Sequence, residues 1–234
     1  MKKLHASLTA AALAMATSGT ALAEVSANIG VTSNYIWRGV TQTDDGAAVQ
    51  GGIDYAHDMG FYLGTWASNI KWGPDMSSGA EVDFYGGFAN EYNDFGYDLG
   101  LIYYYYPDSD YEDSNFYEIY GSGSWKWIEL GLAYTLGGDA DSDAPFSKGD
   151  LYYYGGLSFD LPNDWSIGAT VGRYDFDVSK AWKTENGDPK YTHGQLDIGK
   201  GAGDFGDFTF SVSKAGKNSG DDDTKFWVAW TKSF

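Results

Sequence analysis

Alternation of apolar and polar residues with a period of two is the sequence feature that most limits what this chain can fold into. In residues 128–134, Leu130 and its apolar neighbours two positions away lie opposite Glu129. Residues 47–55, 80–88 and 192–198 alternate in the same way. Successive side chains of a β-strand point to opposite faces, so the pattern predicts a sheet with one apolar face. A soluble β-sandwich and a membrane barrel both satisfy this pattern, and other features must separate them.

The number and spacing of such segments favour a barrel. An even number of strands places both chain ends on one side, as bacterial single-chain barrels require. Long connections alternate with short ones, which is the asymmetry expected of outer loops and periplasmic turns. We therefore predict an all-β fold, a transmembrane antiparallel up-and-down β-barrel of about twelve strands. The predicted strands are 25–40, 47–56, 61–70, 80–90, 95–105, 115–122, 127–136, 151–160, 165–174, 191–200, 207–215 and 225–234.

The first residues of the chain predict export from the cytoplasm. Lys2 and Lys3 precede an apolar run over 4–16, and Ala21-Leu22-Ala23 forms an A-x-A cleavage site. This pattern predicts a signal peptide over 1–23, cleaved to leave a barrel domain over 24–234. No later segment reaches 18 uninterrupted apolar residues, so a membrane location would require a closed sheet.

The last ten residues, 225–234, read as an aromatic-rich strand that stops at Phe234. Phe226, Val228 and Trp230 alternate in step with Phe234, and Lys232 interrupts the series. Such an ending resembles the insertion signal of bacterial outer-membrane β-barrels. The resemblance implies an integral outer-membrane location, with outer-membrane lipid and the barrel-assembly machinery as partners.

Composition disfavours several other functions. The net charge of −18 argues against nucleic-acid binding, which needs a basic surface, and there is no cysteine for disulfide or thiolate chemistry. Asp139-x-Asp141-x-Asp143 resembles the start of a calcium loop but lacks the following Gly and closing Glu, so a solvated acidic rim is favoured. His57 and His193 follow the predicted cleavage site, and no serine motif accompanies them. We predict no enzyme activity, cofactor or metal.

Residues 32–55 allow a family to be named. They contain Trp37-Arg38-Gly39, then a Thr-Gln-Thr turn over 41–43, then Ala-Val-Gln-Gly over 48–51. This segment resembles the opening hairpin of the TorF family of proteobacterial porins. The resemblance implies an outer-membrane barrel acting as a channel, and it carries over no catalytic or ligand residue.

The more polar face of each strand is assigned to the lumen, where carboxylates then outnumber bases. Such a lumen would favour cations or neutral polar solutes over anions, although the same groups could merely solvate the wall or neutralise one another. Arg38 could set a field at a constriction or form a buried ion pair that braces the barrel. The predicted lumen-lining residues are Arg38, Gln50, Asp54, Glu81, Asp83, Asp98, Glu118, Glu129, His193, Gln195 and Asp197.

These features predict a porin-like channel for passive diffusion of small hydrophilic solutes, narrow and with an acidic lumen. The loop 175–190 is the expected segment to fold inward and restrict the mouth. The alternative is a non-conducting outer-membrane barrel with a structural or surface-interaction role, and an outer-membrane hydrolase is a third reading. The transported solute, oligomeric state and gating stay open at this stage.

Overall fold

Alternating strands rich in glycine and aromatic residues curl into a closed barrel in the computed structural model, which describes residues 24–234. The predicted signal peptide over 1–23 therefore lies outside the described residues. Twelve strands form the wall and two short ones form a separate hairpin. The wall strands are β1 (Glu24–Thr32), β4 (Ala48–Ala56), β5 (Phe61–Ile70), β6 (Gly79–Tyr92), β7 (Phe95–Tyr105), β8 (Phe116–Trp125), β9 (Ile128–Gly138), β10 (Leu151–Leu161), β11 (Trp165–Asp175), β12 (Tyr191–Gly201), β13 (Asp207–Ala215) and β14 (Thr224–Ser233); the hairpin strands are β2 (Ile36–Trp37) and β3 (Val40–Thr41).

Pairing between the first and last strands closes the sheet. β1 runs antiparallel to β14, with Asn28 opposite Ser233 and Thr32 opposite Ala229. The other edge of β1 pairs with β4 along its whole length. Lys232, the residue that interrupts the terminal apolar series, donates through Nζ to the carbonyl of Asp204 at 2.6 Å. The predicted closed barrel of twelve antiparallel strands is confirmed.

Tight turns join the strands at one end of the barrel. The turn between β10 and β11 contains Asn163 and Asp164, with φ of 62° and 57°. The turn between β6 and β7 contains Asn93, with φ of 58°. Asn and Asp tolerate this left-handed conformation better than most residues. We call this the inner end, since short turns face the periplasm in such barrels, and the opposite end the outer end. The outer connections are longer and include helix α1 (Lys180–Asn186).

The first predicted strand, 25–40, is wrong in its second half. The wall strand β1 ends at Thr32, and residues 33–47 leave the wall as a segment that we call the inner hairpin. Its two strands pair Ile36 with Thr41 around a two-residue turn. Arg38 and Gly39 occupy the turn with φ of 48° and 87°, the conformation that suits tight hairpins. The aromatic residues here do form strand, as their propensity predicts, but away from the wall.

The two faces of the wall differ as the alternation predicts. Apolar side chains such as Leu130 and Val171 are exposed on the outside, at 64% and 61%, whereas Glu118 on the inside is 1% exposed. No helix among residues 24–234 is long and apolar enough to cross a membrane.

Candidate functional site in the barrel interior

The barrel interior contains the side chains that the sequence assigns to a lumen. On β6, Glu81 and Asp83 are 2% and 3% exposed, while Phe84, the next residue along the strand, faces outward and is 51% exposed. Arg38 reaches the interior from the tip of the inner hairpin. The same alternation places the remaining assigned residues on the inner side of the wall: Gln50, Asp54, Asp98, Glu118, Glu129, His193, Gln195 and Asp197.

Arg38 forms a bidentate ion pair with Glu118 of β8. Its Nη1 donates to Oε1 of Glu118 at 2.9 Å and its Nη2 donates to Oε2 at 2.6 Å. The carboxylate also lies within hydrogen-bonding distance of the hydroxyls of Tyr104 and Thr135, both at 3.3 Å. A buried carboxylate is strongly disfavoured without such partners, so this arrangement fixes both the charge and the position of the hairpin tip.

Aromatic rings surround the same guanidinium. Its central carbon lies 4.2 Å from the ring centre of Trp37, 4.3 Å from that of Tyr152 and 4.9 Å from that of Tyr174. Burial alone would lower the pKa of Arg38, but the Glu118 carboxylate raises that pKa well above its usual value. The guanidinium therefore stays charged and is held by both a carboxylate and π-faces.

A second buried contact holds the hairpin against β6. The hydroxyl of Tyr35 donates to Oε1 of Glu81 at 3.1 Å. Burial raises the pKa of Tyr35 well above its usual value, and the nearby carboxylates of Glu81 and Asp83 raise it further, so the phenol keeps its proton. Among the described residues, Oδ1 of Asp83 has no hydrogen-bond partner although it is buried.

The base of the inner hairpin is tied to the wall by a polar network. Nδ2 of Asn34 donates to Asp45 at 2.7 Å, and the hydroxyl of Thr41 donates to Oδ1 of Asn34 at 2.6 Å. Lys225 of β14 pairs with both Asp45 and Asp221, each at 2.7 Å. The hairpin is thus anchored at its base as well as at its tip.

The loop 175–190, expected to fold inward, covers the outer end but is not the segment that lies across the interior. Its residues Phe176 and Val178 are buried in an aromatic cluster at the outer end. Asp150 connects it to the preceding outer loop, because its carboxylate accepts from the amides of Phe146 at 2.6 Å and Asp177 at 2.8 Å. Burial raises the pKa of Asp150 to about 6 against the lowering effect of these two bonds. The segment that crosses the interior is the inner hairpin, which contacts Glu81 of β6 and Glu118 of β8.

Toward the inner end the interior is more accessible and is lined by paired tyrosines and carboxylates. Tyr62 donates to Asp98 at 2.7 Å, Tyr85 donates to Asp54 at 2.5 Å and Tyr154 donates to Glu129. Asp197 accepts from Ser211 at 2.6 Å and from Gln195 at 2.9 Å. All four carboxylate residues are half-buried rather than buried, so this half of the interior presents polar groups to solvent.

Sequence reasoning missed the interior tyrosines and Lys225. Tyr104, Tyr152 and Tyr174 fall on the interior face by simple alternation, but as largely apolar residues they were not counted with the polar side chains. His193, an interior residue considered for catalysis, pairs through Nε2 with the hydroxyl of Tyr152 at 2.9 Å. Within residues 24–234, no group of three or more His, Cys, Asp or Glu is placed to hold a metal ion.

Solved structures with the same architecture are porins. The KdgM porin superposes with a TM-score of 0.59 at 13% identity, covering 89% of this chain and 99% of that one. The NanC porin superposes with a TM-score of 0.55 at 11% identity, covering 89% and 98%. The KdgM porin in complex with disordered oligogalacturonate gives a TM-score of 0.55 at 13% identity, covering 90% and 98%. The chain therefore has the fold of outer-membrane porins.

A family model defines the chain more closely. The model described as "Bacterial protein of unknown function (Gcw_chp)" matches residues 14–234, and the chain belongs to that family. This match does not by itself show the TorF family that the opening hairpin resembles, but the porin-like barrel implied by that resemblance is present. No curated protein sequence matches the chain.

Proposed function

We propose that this protein is a porin-like channel of the bacterial outer membrane, through which small hydrophilic solutes diffuse passively. The observation that carries the proposal is the contrast between an apolar exterior and an interior wall of charged and polar groups. Interior residues such as Glu81, Thr135 and Thr170 are polar, whereas a barrel held together by an apolar core would place aliphatic groups there. A polar wall replaces part of the hydration shell of a passing solute.

The proposed lumen is acidic and selects against anions. Its inner half carries Asp54, Asp98, Glu129 and Asp197, and the basic groups further out, Arg38 and Lys225, are each already paired with carboxylates. One porin of similar fold is described with bound oligogalacturonate, a negatively charged saccharide. We propose a different solute class for the present protein, namely neutral polar molecules and cations, because a carboxylate-lined pore repels polyanions.

The proposed channel is narrow because the inner hairpin lies across its outer half. Trp37 packs edge-on against Tyr104, Phe116 and Tyr174, which all project from the wall. Barrels of eight strands are filled by side chains and those of sixteen leave an aqueous channel, so a barrel of twelve leaves intermediate space for such a segment. Conduction then requires solutes to pass beside the hairpin or the hairpin to move.

A non-conducting barrel with a structural or surface-interaction role is the second candidate, and the buried hairpin is the observation that favours it. In either case we propose an integral outer-membrane location, insertion by the barrel-assembly machinery and no enzymatic activity. The paired state of His193 with Tyr152 supports the last of these, since it gives the imidazole an ordinary structural partner.

Single-channel recording in planar lipid bilayers separates the two candidates. Purified protein is added at micromolar or lower concentration after its folded state has been checked by resistance to detergent denaturation on a gel. Stepwise, uniform conductance increments are expected, and boiled protein serves as the control. Folded protein that inserts but gives no conductance at any voltage would overturn the channel and favour the structural role.

A further inference from the structure

The surroundings of Arg38 have the composition of a ligand site rather than of an ordinary hairpin anchor. A carboxylate binds the guanidinium edge in a bidentate manner and two wall tyrosines lie within 4.3 and 4.9 Å of its centre. We propose that the barrel wall carries a binding site for guanidinium groups and related organic cations of permeating solutes, and that Arg38 occupies it as a tethered ligand. The wall residues Glu118, Tyr152, Tyr174, Tyr104 and Thr135 form this site, which we call the cation box.

The wall side of the cation box is held in place by contacts that do not involve the hairpin. Tyr152 bonds to Nε2 of His193 at 2.9 Å and lies parallel to that imidazole, 5.9 Å between ring centres. Tyr174 stacks on Phe176 at 4.1 Å, and Tyr104 stacks on Phe116 at 4.3 Å. The box would therefore keep its shape when Arg38 leaves, as a preorganised site does.

The chemistry of the box selects for a planar cation. Glu118 would be left as a buried, unpaired charge if Arg38 left without replacement, so a cation of similar shape is strongly preferred over water or a neutral solute. The two carboxylate oxygens match the two parallel N–H groups of a guanidinium, and tyrosine faces attract positive charge. An anionic group would meet Glu118 directly and is excluded.

The hairpin turn covers a wall group that has no hydrogen-bond partner, which favours displacement of the turn. Within residues 24–234, Nδ1 of His193 is buried without a hydrogen-bond partner. His193 lies directly beside the hairpin turn, since a methyl group placed on Gly39 would come within 2.5 Å of its Cβ. Withdrawal of the turn would let water reach this nitrogen and supply the missing hydrogen bond. A solute guanidinium that replaces Arg38 would thereby release the tip of the hairpin from the wall.

The test is a binding measurement on the full-length mature protein, folded in detergent micelles. Arg38→Gly empties the box while keeping a residue that adopts the turn conformation. Isothermal titration calorimetry with n-propylguanidinium should show millimolar binding to this variant and about tenfold weaker binding to the wild type, whose box is occupied. The neutral isostere n-propylurea should bind at least about tenfold more weakly than n-propylguanidinium, because it has no charge to pair with Glu118.

Matched variants test whether the box is responsible. Arg38→Gly combined with Glu118→Gln should lose the preference for n-propylguanidinium over n-propylurea. Arg173→Ala removes a half-exposed guanidinium, paired with Asp175 on the outer face, and should bind as weakly as the wild type. If Arg38→Gly does not fold, Arg38→Asn replaces it, because Asn also tolerates the left-handed conformation and is too short to pair with Glu118.

The inference rests on the proposed function, but failure of the cation box can be distinguished from failure of the channel. Binding in micelles needs no conductance, so a protein that binds n-propylguanidinium through Glu118 yet never conducts overturns the channel and retains the box. A variant that is folded and binds both probes equally overturns the box, whatever its conductance.

Discussion

Single glycines on the interior wall create the space that neighbouring tyrosine rings fill. A methyl group placed on Gly172 would collide with the hydroxyl of Tyr152 and with Nε2 of His193. Gly131 gives room to Tyr154 in the same way. The glycines leave no side chain beneath these rings, and of the three rings Tyr152 belongs to the proposed cation box.

Gly172→Ala is therefore expected to destabilise the barrel by disturbing the Tyr152–His193 pair. Forcing an extra methyl into a packed site typically costs about 1–3 kcal/mol. Gly156→Ala is the matched control, because its added methyl would meet no atom closer than 3.8 Å on the same inner face. The free energy of unfolding in urea, measured for both variants in the same micelles, checks the difference. Equal stability of the two variants would contradict the role assigned to Gly172.

Alternation along one strand places single residues, but it cannot place contacts made through a hairpin. Strand geometry alone puts Glu118 on the same face as Tyr120 and opposite Tyr117. The pairing of Glu118 with Arg38, 80 residues away, depends on where the chain leaves β1 and how it turns inside the barrel. The sequence alone does not decide whether Arg38 creates an electrostatic field at a constriction or forms an ion pair that braces the barrel. In the structure, its guanidinium is paired with the buried carboxylate of Glu118.

At the scale of elements, the inner hairpin is where sequence reasoning departs most from the structure. The predicted strand 25–40 is 16 residues long, whereas a transmembrane strand needs about 9–11. That excess was a signal that part of the segment lies elsewhere. Arg38-Gly39 was a second signal, since a two-residue turn with glycine between strand-forming residues predicts a hairpin. The wall strands with plain alternation lie close to their predicted bounds, for example Phe61–Ile70 and Phe95–Tyr105.

Shortening the inner hairpin should increase conductance. Tyr35 and Gln42 already face each other, because the backbone N–H of Gln42 donates to the backbone carbonyl of Tyr35 at 2.7 Å. Replacing residues 36–41 by Asn-Gly therefore makes a tight turn between two residues that are already paired. The variant removes Trp37 and Arg38 from the lumen, and its single-channel conductance is expected to exceed that of the wild type several-fold as the open cross-section grows.

Deletion of residues 141–143, an exposed stretch of an outer loop, provides the control for this shortening. It removes chain from the outer end without emptying the interior, so conductance should change little. If the shortened hairpin conducts no better than the wild type, the inner hairpin does not limit permeation.

At the scale of the whole molecule, the interior has two halves with different properties. The outer half contains the inner hairpin and the aromatic clusters around Tyr104 and Tyr174. The inner half is open to solvent and lined by tyrosine–carboxylate pairs such as Tyr62–Asp98 and Tyr85–Asp54. We infer that the outer half decides whether a solute passes, whereas the inner half sets the charge that a passing solute meets.

Cation preference is the property that the inner half should produce. Across a tenfold salt gradient an ideally cation-selective pore gives about 59 mV, and the wild type is expected to give a smaller reversal potential of the same sign. The triple variant Asp54→Asn, Asp98→Asn and Glu129→Gln removes three interior charges and should bring the potential close to zero. The effect should be larger at about 0.1 M salt than at 1 M, because screening is weaker.

Neutralising Asp139, Asp141 and Asp143, which are exposed on an outer loop, removes as many charges outside the lumen and should leave most of the selectivity. Anion preference in the wild type, or an equal loss in both triple variants, would refute an acidic lumen as the source of selectivity.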